Sequence, residues 1–196
     1  MADASTRHEY RFCPNCATPL QMLAQAEDGG EKSRLRCPAC GWTHWNNPTP
    51  VLAAVIECVD RDGQLLLARN AAWTARMFGL VTGFMEAGET PQDGMRREIA
   101  EETSLEVEEL NLIGVYDFQR MNQVLIAYHA RCTGEVRLSP ELVDYRLVPY
   151  AQVQCWPAGT GAHQVRSGVD LVLSAHPGDQ PPAVQARAPT GSASSW

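Results

Sequence analysis

Basic charge is in short supply in this chain. Lys and Arg number 16 against 23 Asp and Glu, for a formal net charge of -7. A general nucleic-acid binder carries a basic footprint, so nucleic acid is not the expected partner. Phosphate substrates stay open, because a bound metal reverses the local sign. Long apolar runs are missing too, and none approaches the roughly 20 residues that span a membrane. The opening "MADASTRHEYRFC" lacks the apolar core of a signal peptide, which makes the cytoplasm the expected location. No internal repeat is present. Cysteine is not scarce, but 7 is an odd number and four of them fall in CxxC pairs. That usage suits a reducing compartment and a metal site better than a disulfide framework.

Cys13 and Cys16 form a CPNC turn, and Cys37 and Cys40 form a CPAC turn after 20 intervening residues. Two such turns let four thiolates converge on one tetrahedral zinc. Four thiolates leave no open coordination position, so this zinc is structural. "RLRC" reads as a strand entering the second turn, and "AEDGGEKS" as a hairpin tip. About thirty residues cannot build a sufficient core alone, so metal binding supplies folding energy. "GWTHWNNPTP" then breaks the chain. Trp42 and Trp45 either pack the ribbon onto the main domain or line a base-binding surface. The expected organisation is a zinc ribbon over 1–45, a main domain over 46–175 and a tail over 176–196. The tail is rich in Pro, Ala, Ser and Gly without an apolar period and is expected to be disordered.

Within the main domain, "VLAAVIECVD" and "QLLLARN" read as a hairpin around "RDG". "FGLVTGF" is a short apolar strand. "VEELNLIGVYDFQ" and "QVLIAYHARCTG" are strands joined at "RMN", and "SPELVDYRLVP" is a loop leading into a last strand. "AGTGAHQVRSGVDLVLSA" ends in an amphipathic helix. "CWPAGTGAH" has phosphate-loop glycines but lacks the Lys-Ser/Thr of a P-loop, so it reads as a tight turn. Cys58, Cys132 and Cys155 have no partners at ligand spacing and read as buried thiols. Strands on both sides of one central helix, with a helix at the end, predict an α/β sandwich with a mixed sheet.

That central helix, Thr90 to Thr103, carries the chemistry. Thr90 is placed to N-cap it, Pro91 suits the first helical position, and Asp93 is placed to reach back. Gly94 in its interior weakens it by about 1 kcal/mol unless close packing on a strand requires it. Glu98, Glu101 and Glu102 project within about a 100° arc, and Met95 and Ile99 form the adjacent apolar edge. A solvated acidic face is one reading of such crowding. The other is a cation: closely packed carboxylates repel unless neutralised, and hard oxygen ligands with room for phosphate describe magnesium.

The upstream context bears on the choice. Gly83, Glu89, Arg97, Glu98, Glu101 and Glu102 keep the pattern G-x5-E-x7-R-E-x2-E-E, with Ile99 and Leu105 at its apolar positions. This resembles the Nudix box of nucleoside diphosphate hydrolases, and the main domain is identified as a member of that family. The resemblance implies a Nudix α/β/α sandwich behind a zinc ribbon. It implies Glu98, Glu101 and Glu102 as ligands of Mg2+ or Mn2+, with the Gly83 carbonyl as a further ligand. Arg97 and Glu89 would be a supporting ion pair that orients the helix. Glu141 would be a ligand or the general base on a later loop, or else an ordinary exposed acid. Ser104 departs from the box, which has Gly there as a left-handed cap, at a cost of about 1 kcal/mol.

The implied reaction is hydrolysis of a pyrophosphate bond in a nucleoside diphosphate linked to another moiety, releasing AMP. Ribbon and box together resemble the NADH pyrophosphatases and the FAD or ADP-ribose pyrophosphatases. The NADH branch carries an SQPWPFPxS-type stretch after the box, and "VYDFQRMNQVLIAYHARC" has none, so ADP-ribose or FAD is the expected substrate. NADH, NAD or NAD-capped RNA is the alternative, and a non-catalytic nucleotide sensor is a second. Phe84, Tyr116, Phe118, Arg120 and Tyr128 are the candidates for holding substrate, each also readable as core or surface filler. His129 is a strand residue opposite in sense to Tyr128. The resemblance leans towards a homodimer.

Overall fold

The structure, a computed structural model, describes residues 10–73 and 78–153. The chain divides into two compact units, Met1–Pro48 and Thr49–Trp196.

In the first unit, β1 (Gln21–Glu27) and β2 (Gly30–Arg36) pair antiparallel in register from Gln21↔Arg36 to Glu27↔Gly30. Gly29 and Gly30 take positive φ at the tip, which only glycine adopts without strain. Each cysteine turn closes with a backbone bond back to its first cysteine. Ala17 N–H donates to Cys13 O at 2.8 Å, and Gly41 N–H donates to Cys37 O at 3.0 Å. The closing residues, Ala17 and Gly41, are both left-handed. Trp42 stacks with His44 and tilts against Tyr10, while the Arg34 guanidinium lies 5.1 Å from the Trp45 ring. Glu27 accepts from both Arg34 and Arg36 and ties the two strands together.

In the second unit, β3 (Thr49–Cys58) is the centre. Its unbroken apolar run from Val51 to Ile56 is buried on both faces, as expected of an interior strand. β4 (Gln64–Asn70) follows through a turn with Asp62 and Gly63 at positive φ, and the predicted hairpin forms. β5 (Val81–Phe84) pairs antiparallel with β3. Helix α1 (Pro91–Thr103) leads into β6 (Glu106–Phe118), a 3-10 turn over Gln119–Met121, and β7 (Gln123–Thr133). β8 (Leu142–Val148) and the four-residue α2 (Tyr150–Val153) complete the described chain. The strand order is β6-β7-β3-β4-β8, with β5 also on β3. β3 and β7 are parallel and the other pairs antiparallel, so the sheet is mixed.

α1 packs against β5, β3 and β6. Met95 and Ile99 of the helix are fully buried with Leu52, Ala54, Ile56, Tyr128 and Ala130. A smaller cluster of Val55, Leu65, Leu67, Phe78 and Val148 covers the other face. Cys58 and Cys132 are buried thiols and register partners across β3 and β7. Cys155, the "CWPAGTGAH" turn, the amphipathic helix predicted before Ala175 and the tail lie outside the described residues. α2 has no counterpart among the elements expected from sequence. Among the described residues no helix is long and apolar enough to cross a membrane.

Candidate active site

Local sequence positions the acidic helix as its residues demand. Thr90 Oγ1 accepts from Asp93 N–H at 3.2 Å and its hydroxyl donates to Asp93 Oδ2 at 2.7 Å. The Asp93 carboxylate therefore meets the cap's hydroxyl and not its backbone N–H, a variant of the expected reach-back. At the other end Ser104 is left-handed, with φ 58° and ψ 16°, and its N–H donates to Ala100 O. The side chain it has in place of glycine finds a partner: Ser104 Oγ donates to Arg137 O at 3.2 Å.

That last contact belongs to a larger junction. Arg137 N–H donates to Thr103 O at 2.9 Å, and Ser139 N–H donates to Glu102 O at 3.0 Å. The loop before β8 thus occupies carbonyls that a helix C-terminus leaves unpaired. Glu141 follows on this loop; its N–H donates to Ser139 Oγ, and its carbonyl accepts from Ala71 N–H at 2.8 Å. The docking brings Glu141 close enough to raise the Glu102 carboxyl. Nothing in the sequence marks Arg137 and Ser139 for this role, because backbone donors carry no side-chain signature.

Around the helix the carboxylates divide into two kinds. Arg97 is a hub: its Nε and Nη2 reach Glu89 at 3.1 and 3.0 Å, and Nη1 reaches Glu98 at 2.9 Å and Glu101 at 3.1 Å. Nη2 also reaches Phe84 O at 3.3 Å. The Arg97 hydrogen bonds, with Glu86 N–H behind them, hold the Glu89 carboxyl below its ordinary value. The guanidinium is raised in turn, by Glu89 first. Burial pushes Glu98 up, against the pull of Arg97. Glu101 is the outermost, with its side chain 62% exposed.

Glu102 is different. It is 8% exposed, and among the described residues no donor bonds its carboxylate. Burial, and then the charges of Glu98, Glu141 and Glu101, push it up to about 7. A buried carboxylate facing three other acids is what a cation site looks like from the protein side. The strand beside it is cut to fit. A Cβ at Gly83 would overlap the Glu98 carboxyl group, so only glycine lets that carboxylate lie against β5. Glu98 and Glu102 are hard oxygen donors of the kind a divalent ion takes, and Glu101 and Glu141 lie near enough to raise Glu102 by their charge.

The substrate candidates fall on both sides of the sheet. Gly83 faces α1, so alternation turns its neighbour Phe84 to the opposite face. The pairs Phe84↔Val51, Val51↔Leu125 and Leu125↔Tyr116 carry that face across three strand boundaries. Phe84 is 59% exposed, and Tyr116 has a buried hydroxyl with no hydrogen-bond partner. Phe118 is half-buried at the end of β6, and Arg120 is exposed on the 3-10 turn. Tyr128 needs correction. At 2% exposure it belongs to the core under α1 and offers no surface to a ligand. His129 does point the other way, with Nε2 2.9 Å from Glu57.

In the ribbon, the sulfurs of Cys13, Cys16, Cys37 and Cys40 lie within 4.8 Å of one another. Cys13 and Cys37 are buried, and Cys16 and Cys40 are exposed. The Thr18 hydroxyl holds the exposed Cys16 thiol down at about 6. Four converging soft donors form a set that suits zinc.

Both units match known families. The NUDIX domain model matches residues 48–167, and the Nudix N-terminal zinc-ribbon model matches residues 11–46. Among curated relatives, the NAD-capped RNA hydrolase NudC of Pseudomonas aeruginosa is 32% identical over 131 residues, covering 66% of this chain and 44% of its own. The protein of that name from Stutzerimonas stutzeri is 28% identical over 137 residues, covering 69% and 46%. The chain thus spans about half the length of these relatives. Among solved structures, a NUDIX hydrolase from Nitrosomonas europaea superposes with a TM-score of 0.61 at 27% identity, covering 72% of this chain and 82% of that one.

Proposed function

Since the chain belongs to the NUDIX domain family, we propose that it is a hydrolase of the pyrophosphate bond in AMP-containing dinucleotides, dependent on Mg2+ or Mn2+. One observation carries the reading: Glu102, 8% exposed, has no donor on its carboxylate among the described residues and is pushed up to about 7 beside Glu98, for which Gly83 makes room.

Glu98 and Glu102, with Glu101 and the Gly83 carbonyl, hold the divalent ion. When bound, that ion neutralises the pyrophosphate and makes water a better nucleophile. Arg97 stays on Glu89 and keeps the helix aimed at β5. Glu141, brought beside Glu102 by the docked loop, orients the attacking water and accepts its proton. Water adds to one phosphorus, and a nucleoside monophosphate leaves on the other. Cys13, Cys16, Cys37 and Cys40 hold a structural zinc that fixes the ribbon. Phe84 supplies an exposed apolar surface for the substrate's ring, with the half-buried Tyr116 on the same face of the sheet. Cytoplasmic action and assembly as a homodimer belong to the same proposal.

For the substrate, the relatives' names favour NAD or NADH over ADP-ribose or FAD, which reverses the order expected from sequence. They also bring back an RNA 5′ end as a partner despite the acidic balance. The missing SQPWPFPxS-type stretch supports ADP-ribose or FAD as the second reading. AMP release from NADH, NAD, ADP-ribose and FAD, with Mg2+ and with Mn2+, tests the order. NADH or NAD is expected to turn over fastest by kcat/KM; a clear preference for ADP-ribose or FAD would reinstate the second reading.

A further inference from the structure

Glu102 belongs to α1 and Glu141 to the loop before β8, so their spacing depends on what joins that loop to the helix. Ser139 is one such junction, and all three of its polar groups are engaged. Its N–H donates to Glu102 O at 3.0 Å, and its carbonyl accepts from Leu142 N–H at 3.1 Å. Its hydroxyl oxygen accepts from Glu141 N–H at 3.3 Å. The sequence explains the last two. Ser139, Pro140, Glu141 and Leu142 form a β-turn with proline second, where the ring pre-sets φ, and serine first. A serine hydroxyl at that place takes up the N–H two residues on. Leu142 then enters the core beneath α1 with Met95 and Ile99. On the other side, Glu141 O accepts from Ala71 N–H at 2.8 Å, in a turn where Asn70 Oδ1 accepts from Ala72 N–H at 2.9 Å. The Glu141 backbone is thus held at both donor and acceptor, while the residue itself is exposed.

We propose that Ser139 is a positioning residue for the hydrolysis. It grips the backbone of Glu102 and shapes the turn that presents Glu141. The spacing between the buried ligand carboxylate and the acid that orients water is therefore set by one side chain that touches neither water nor ion. The inference rests on the reading of Glu141 as that acid.

Ser139→Ala removes the hydroxyl and keeps the N–H and carbonyl bonds, Ser139→Thr keeps all three, and Glu141→Ala removes the acid. kcat and KM for NADH are one readout. The other needs no turnover: broadening of the Glu141 and Glu98 amide resonances by Mn2+. Ser139→Ala is expected to lower kcat roughly 10-fold, short of the roughly 100-fold expected of Glu141→Ala, with KM and the melting temperature nearly unchanged. Broadening at Glu141 is expected to fall in Ser139→Ala while that at Glu98 holds, and Ser139→Thr is expected to restore wild-type values of both kcat and broadening. In the Glu141→Ala background, adding Ser139→Ala is expected to cost nothing further. Equal losses in both backgrounds would overturn the proposal, and so would a loss that threonine does not restore. A Ser139→Ala protein that keeps either wild-type kcat or wild-type broadening at Glu141 overturns it too. Should Ser139→Ala unfold, the residue is structural and the proposal falls. Wild-type protein that binds Mn2+ but hydrolyses none of the dinucleotides sinks the hydrolase reading, while the broadening at Glu141 still decides the part played by Ser139.

Discussion

Among single residues, Glu102 carries the sharpest consequence. Its carboxyl ionises at about 7 in the folded chain against an ordinary value of 4.5. Between these values the folded state holds a proton that the unfolded state has lost. The stability this contributes is full below about 4.5 and is lost as pH rises through about 7. The deficit above pH 7 is roughly 3 kcal/mol at this depth of burial. In buffer without divalent cations, Glu102→Gln is therefore expected to unfold at a higher temperature than wild type at pH 8, and to lose that advantage near pH 4.5. Equal melting temperatures at both pH values would mean that Glu102 is compensated by a partner. The box residues were legible in the sequence because their spacing is local and helical. The burial of Tyr128 was not, because a strand residue's face depends on which neighbours cover it.

Among the elements, α1 shows how a departure from a pattern is absorbed. Ser104 adopts the left-handed conformation that the pattern reserves for glycine, and its hydroxyl donates to Arg137 O. Ser104→Gly removes the strain and also the hydrogen bond. A net gain of less than about 1 kcal/mol is expected, read as a small rise in the urea midpoint. A fall in the midpoint would show that the bond to Arg137 outweighs the strain. The hairpin of β3 and β4, the strands β5 to β8 and the limits of α1 were readable from alternation, turn residues and caps. The docking of the Arg137–Glu141 loop on the helix C-terminus was not, because it joins segments more than thirty residues apart through backbone groups. α2 escapes a reading by pattern because four residues carry no period.

Across the whole chain, two units stand on different physics. Thr49 onwards has a sheet with cores on both faces, whereas the ribbon has two strands and four sulfurs. Structural zinc binding is worth about 10–16 kcal/mol in comparable peptides, so the ribbon's folding energy is largely its metal's. Removing that metal with a chelator is expected to abolish amide protection in β1 and β2 while β3 and β7 stay protected. Protection retained in β1 and β2 without metal would contradict that division. The fold and the cysteine cluster were readable because each rests on a spacing rule. The order of substrates was not, since it depends on a pocket assembled from separate strands and on a stretch this chain lacks. Hydrolysis itself is the decisive property, measured as AMP release from NADH while Mg2+ is titrated, in wild type and in Glu102→Gln. Wild type is expected to release AMP in proportion to bound Mg2+ and the variant almost none, with the fold and the ribbon metal retained. Equal release by both, or release that ignores Mg2+, would contradict a metal-dependent hydrolase built on Glu102.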